Sequence, residues 1–129
     1  MSANKNVDVN TNRTNITLKG LDGADKIKRI MNFFRTTDIA LPSFNILAKD
    51  DVKLGVKVDY VSDKAEKINL PSSNVIKYYL NDNMWFVLRP SGTEPKLKVY
   101  FSTVGDSKEH AKSKNLKLRN EVMKLIDKI

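Results

Sequence analysis

Cysteine is absent from the 129 residues, which removes a disulfide framework, a thiolate metal site and a cysteine nucleophile together. Histidine occurs once. His110 stands beside Lys108 and Lys112 with no second imidazole or acidic cluster at ligand spacing, so it reads as a surface side chain, and no metal site is expected. Only five glycines and four prolines are present, too few for a collagenous or low-complexity chain. Long apolar runs are missing as well. The longest, "MWFVL" and "VIKYYL", fall far short of the roughly 20 residues that span a bilayer, and the N-terminus has no signal-peptide stretch. The expectation is a cytoplasmic chain with no membrane partner.

What is present is an ordinary globular balance, 40% hydrophobic and 29% charged, in a length that suits one domain with its own core. Lys and Arg number 23 against 15 Asp and Glu, a net charge of +8, and that balance favours anionic partners. The lysines are spread over helices and turns, so charge alone does not choose among nucleic acid, lipid and phosphorylated metabolites.

The opening stretch "MSANKNVDVNTNRT" is rich in asparagine and without a period, and is expected to be a flexible leader over residues 1–14. "NITL" then reads as a short strand. Ile27, Ile30, Met31 and Phe34 fall at i, i+3, i+4 and i+7, one face of a helix, with Asp22 as N-cap and Asp25 complementing the helix dipole. "FNILA" reads as strand. Residues 52–60 alternate Val52, Leu54, Val56, Val58 and Tyr60 against Lys53, Lys57 and Asp59, and are expected to form one strand with a buried and a wet face. "SDKAEKINLPSS" reads as a polar excursion. "NVIKYYL" and "MWFVLR" flank the turn trio "NDN", a hairpin. "KLKVYF" turns Leu97, Val99 and Phe101 one way and Lys96, Lys98 and Tyr100 the other. The last helix starts near Ser107, with Ala111, Leu118, Val122, Leu125 and Ile129 on its stripe. The order predicts an α+β two-layer sandwich, a mostly antiparallel sheet with two helices on one face.

The stretch "RPSGTEPKLKVYF", residues 89–101, admits two readings. Pro90 and Gly92 fit a tight turn whose hydroxyls bond nearby backbone. The same residues also make a phosphate cradle: Arg89 with a planar fork, Ser91 and Thr93 as hydroxyl donors, Gly92 permitting close approach, and Lys96 or Lys98 adding charge. Other chemistries find less support. Ser91 lacks a strand-elbow-helix setting and a neighbouring base, and Glu94, between Arg89 and Lys96, reads as an internal ion pair that orders the loop.

"WFVLRPSGTEPKLKVYF" resembles the C-terminal signature of the α-D-phosphohexomutases, the phosphoglucomutase and phosphomannomutase family. "NITLKGLDGADKIKRIM" and "NLPSSNVIKYYLNDNMWFVLRPSGTEPK" are similar to the stretches that open that family's fourth domain and lead into its loop. The resemblance implies that residues 15–129 form that C-terminal domain. It places Arg89, Ser91, Gly92 and Thr93 in phosphate-contacting positions and Lys98 where many members carry a basic residue. It implies the family's isomerase reaction, an intramolecular phosphotransfer between hexose 1-phosphate and 6-phosphate, with Mg2+ and a hexose 1,6-bisphosphate serving the full-length enzyme and no cofactor in this domain. The phosphoserine loop, the aspartate-rich metal motif and the sugar-reading loop of the other three domains have no counterpart here. No catalytic residue is therefore expected, and the domain alone should be inactive. Its implied partners are a hexose phosphate and those three domains. The rival, a basic single-stranded nucleic-acid-binding module, is disfavoured because the basic residues do not interleave with aromatics on one expected face.

Overall fold

The computed structural model describes residues 10–19, 23–92 and 94–129. Seven strands form one sheet: β1 (Thr11–Leu18), β2 (Ile46–Asp51), β3 (Val56–Asp59), β4 (Lys64–Lys67), β5 (Ile76–Leu80), β6 (Trp85–Pro90) and β7 (Leu97–Val104). Their spatial order is β1-β7-β6-β5-β2-β3-β4, and every neighbouring pair is antiparallel. Helix α1 (Gly23–Thr36) precedes β2, and α2 (Lys108–Asp127) ends the chain. Both helices pack on one face of the sheet, in a single core with Ile76, Tyr78, Phe86, Leu88, Val99 and Phe101. This is the expected α+β two-layer sandwich.

The core follows the alternation written into the strands. Leu97, Val99 and Phe101 are buried, while Lys98 is exposed between them. Tyr78, Phe86 and Phe101 stand opposite one another across β5, β6 and β7 and stack with centroids 4.7 and 6.5 Å apart. Phe34 of α1 meets Tyr78 edge-on at 6.1 Å. Such pairs each add about 0.5–1.5 kcal/mol beyond area burial, and they clamp the first helix to the sheet centre. Ile27, Ile30, Met31 and Phe34 are all buried, as the helical spacing predicts; the expected cap Asp22 lies outside the described residues.

Helix α2 begins as read, with Ser107 as N-cap accepting the His110 N–H at 3.0 Å. Its buried stripe is Ala111, Asn115, Leu118, Val122 and Ile126, with Leu125 and Ile129 packed at its margin. Asn115 is a polar rivet in this apolar row. It donates to the Asn12 carbonyl at 3.0 Å and accepts from the Thr14 hydroxyl at 2.6 Å, tying β1 to α2. Residues 11–14 thus belong to β1, paired with Val104 to Phe101.

The single strand expected over residues 52–60 is instead a turn followed by β3. Gly55 has φ +72°, a left-handed conformation that glycine adopts without a Cβ clash. The Asp51 carboxylate accepts the Leu54 N–H at 3.2 Å, and the chain folds back antiparallel on β2. Leu54 ends 63% exposed, on no buried face at all. The polar excursion contains β4, an edge strand of Lys64, Ala65, Glu66 and Lys67 exposed throughout. Its lysines suit a sheet edge, where charge discourages pairing with another chain. The "NDN" hairpin is present, with Asp82 and Asn83 at φ 58° and 61°.

Candidate functional site

Strands β6 and β7 are joined by residues 91–96, and their register sets Arg89 opposite Lys98 and Pro90 opposite Leu97. Leu88 and Val99 are buried against the helices, so the alternation turns Arg89 and Lys98 onto the other face, which carries no helix. Two like charges directly opposite on a sheet are unfavourable by roughly 0.2–1 kcal/mol. Neither side chain makes an ion pair or hydrogen bond to offset this among the described residues.

The loop closes on its own backbone. Ser91 N–H donates to the Lys96 carbonyl at 3.0 Å, and Lys96 N–H donates to the Glu94 carbonyl at 2.7 Å. Arg89, Ser91, Gly92 and Lys98 then line one depression of about 390 Å³ with Lys96 and Tyr100. Thr93 lies outside the described residues. Gly92 makes no hydrogen bond among them, and a Cβ built on it would meet nothing within 4 Å. Crowding within the chain does not demand a glycine there; the close approach of a ligand oxygen to its amide would. Three cations, a backbone amide and a serine around a small concavity make an arrangement that can hold a phosphate.

Glu94 also lines the depression, with its Oε2 2.7 Å from Lys96 Nζ. The hydrogen bond from Lys96 and its charge hold this carboxyl below the usual carboxylate range. Tyr100 is the lining residue that carried no assigned role in the sequence. Its only signal there is its place two residues after Lys98, on the same face of the strand.

His110 belongs to the other end of the molecule. The depression sits at the start of β7 and α2 follows its end, so an eight-residue strand separates them, roughly 23 Å of rise. His110 Nδ1 accepts the Asp106 N–H at 2.9 Å, a structural role at the helix start. Among the described residues no three His, Asp or Glu side chains come together as a metal centre requires. No helix among them is long and apolar enough to cross a membrane.

The helix-free face corrects one expectation. Basic and aromatic side chains do interleave there. Lys57 Nζ lies 4.5 Å from the Tyr79 ring centre, and Lys77 Nζ lies 4.7 Å from Tyr79 and 4.9 Å from Trp85. These ammonium groups cover the rings by cation–π attraction, whereas a base-stacking platform needs bare ring faces.

Tyr79 adds a titration signature to this face. Its hydroxyl donates to Asp50 Oδ2 at 2.5 Å, and burial, followed by that hydrogen bond and the carboxylate charge, pushes the phenol up to about 12. A folded pKa above the unfolded value of about 10 means stability that is full below pH 10 and is lost as pH rises through 12. Tyr79→Phe is therefore expected to flatten the alkaline loss of stability between pH 10 and 12 and to remove one late step from the phenolate absorbance titration. An unchanged alkaline profile would show that the Asp50 contact does not hold the proton.

Residues 6–116 match the family model of the phosphoglucomutase/phosphomannomutase C-terminal domain. The chain is 42% identical over 87 residues to a phosphoglucomutase of Staphylococcus epidermidis. Over stretches of the same length it is 38% identical to one of Staphylococcus saprophyticus and 40% to one of Staphylococcus aureus. Each match covers 67% of this chain and 16% of the relative. The chain thus spans about a sixth of the length of the curated relatives it matches.

Proposed function

The chain belongs to the phosphoglucomutase/phosphomannomutase family as its C-terminal domain, and from that premise we propose that its β6–β7 loop grips the phosphate of a hexose phosphate. The parent activity is the interconversion of hexose 1-phosphate and 6-phosphate, with three further domains supplying phosphoryl transfer, sugar recognition and the magnesium site. The unit that presents the phosphate-gripping loop runs from β1 through α2.

The observation that carries the reading is the opposed pair Arg89 and Lys98, exposed without an acidic partner among the described residues beside the open Gly92 amide. An uncompensated cationic pair costs stability unless an anion joins it, and a phosphate supplies both the charge and the acceptor oxygens. Arg89 delivers a two-pronged contact, Ser91, Thr93 and the Gly92 amide complete the cradle, and Lys98 adds a mobile charge. None of these groups is a nucleophile activated by a base, so the domain positions its ligand and leaves the bond-breaking to other residues.

Nuclear magnetic resonance titration with glucose 1,6-bisphosphate tests this. Binding is expected at about millimolar strength, roughly 4 kcal/mol, because one open surface cannot desolvate the ligand. Amide shifts should concentrate at Ser91, Gly92, Thr93 and Glu94, and Gly92→Ala should weaken them without lowering stability. Shifts scattered over every lysine-rich surface would reduce the loop to a turn.

A further inference from the structure

The depression contains three cations and one anion of its own. Arg89, Lys96 and Lys98 line it with Glu94, and only Lys96 has an acidic partner among the described residues, the Glu94 carboxylate 2.7 Å away. Both side chains are within reach of solvent, at 35% and 56% exposure for Lys96 and Glu94. A ligand oxyanion can therefore reach the ammonium, and the carboxylate has water to move into.

The ion pair is not what shapes the loop. The backbone bonds from Ser91 N–H to the Lys96 carbonyl and from Lys96 N–H to the Glu94 carbonyl already close residues 91–96 onto the end of the hairpin. A solvent-exposed ion pair contributes little on its own, too little to be the main determinant of a turn held by main-chain bonds. What the carboxylate does is electrostatic. It presents to Lys96 the group that a phosphate oxygen would otherwise present, and Lys19, beyond the end of β1, adds a further positive charge felt by Glu94.

We propose that Glu94 is a built-in competitor for the phosphate: it engages Lys96 until an incoming phosphate displaces it, and so limits the affinity of the cradle. The inference rests on the reading of the loop as a phosphate site and adds a regulating residue to it. The direction follows from charge. A phosphate monoester carries about −1.5 to −2 at neutral pH against −1 for the carboxylate, so it takes Lys96 from Glu94 when Arg89 and Lys98 bind it at the same time. The displaced carboxylate stays nearby and repels it. Like charges a few ångströms apart repel each other even in bulk water. Losing both the competition and the repulsion should tighten binding by about three- to tenfold.

The test is a titration of wild type, Glu94→Gln, Glu94→Asp and Arg89→Ala with inorganic phosphate and with glucose 6-phosphate, followed by amide shifts. Glu94→Gln, which keeps shape and removes charge, is expected to bind about three- to tenfold tighter, and Glu94→Asp to remain close to wild type. In wild-type protein labelled at the glutamate carboxyl carbon, the Glu94 signal is expected to move as phosphate is added, reporting release from Lys96. If Arg89→Ala loses binding while Glu94→Gln binds equally or more weakly than wild type, or the carboxyl signal stays fixed at saturation, the competitor role is overturned and the cradle stands. If Arg89→Ala binds as wild type does, or wild type gives no loop-centred shifts, the cradle reading falls and takes this inference with it.

Discussion

Lys49→Ala is expected to destabilise the fold by about 2–4 kcal/mol, a large share of the 5–15 kcal/mol typical of a domain. The lysine, in β2, is only 6% exposed and reaches the C-terminal end of α1. Its ammonium donates to the Phe34 and Arg35 carbonyls at 2.8 and 3.2 Å, two of the acceptors that a helix end leaves without an intrahelical partner. The Tyr78 hydroxyl donates to the Phe34 carbonyl as well, at 2.7 Å, so truncation strips the Arg35 carbonyl most severely and opens a cavity beside Tyr78. Lys49→Met keeps the apolar stem and should cost less, about 1–2 kcal/mol. Urea unfolding with unchanged slope is the measurement, and a loss under 0.5 kcal/mol for Lys49→Ala would show that the ammonium does not cap the helix.

The pH dependence of that loss has a fixed sign. Burial lowers the Lys49 pKa from its usual value, outweighing the opposing charges of Asp38 and Asp51. The unfolded chain then holds the proton more tightly than the folded one, so this group's contribution to stability rises with pH between its folded value and about 10.5. The Tyr78 phenol runs the other way. Burial, chiefly, raises it, so its contribution is complete below about pH 10 and is lost above that. In Lys49→Met the rising limb should vanish while the alkaline loss remains.

Neither Lys49 nor Asn115 announces its role in the sequence, for the same reason. A polar side chain buried by partners from distant segments looks like any surface residue when only its neighbours in sequence are known. Ile27, Ile30, Met31 and Phe34 were legible because a period along one element decides which side is buried. So was the 81–83 turn, whose residues accept positive φ. Residues 52–60 misled because a turn can carry the period of a strand; Gly55, within the alternating run, was the signal against it. For β4 there was no signal, since an edge strand of Lys and Glu has no apolar face to show. At the site the types of residue were legible and their mutual placement was not. That Arg89 stands opposite Lys98 is a fact of register between two strands, and register depends on how the whole sheet is assembled.

That opposed pair makes the effect of Arg89 on the ligand and on the fold separable. Arg89→Ala removes the two-pronged contact, and with charge-assisted hydrogen bonds contributing about 1.5–3 kcal/mol the loss should be roughly ten- to hundredfold. Starting near millimolar, binding of glucose 1,6-bisphosphate falls out of the measurable range. Arg89→Lys should retain part of it, because an ammonium supplies charge without the planar fork. Stability should move the opposite way. Arg89 is exposed and faces Lys98 across the ladder, so removing it relieves a like-charge pair and should leave the unfolding free energy unchanged or raise it by up to about 1 kcal/mol. Residues kept for function at the expense of stability behave this way. Parallel titration and urea unfolding of wild type, Arg89→Lys and Arg89→Ala decide the matter. If Arg89→Ala loses stability by more than about 1 kcal/mol while still binding the bisphosphate, the arginine is a structural element of the hairpin and the phosphate must be sought elsewhere.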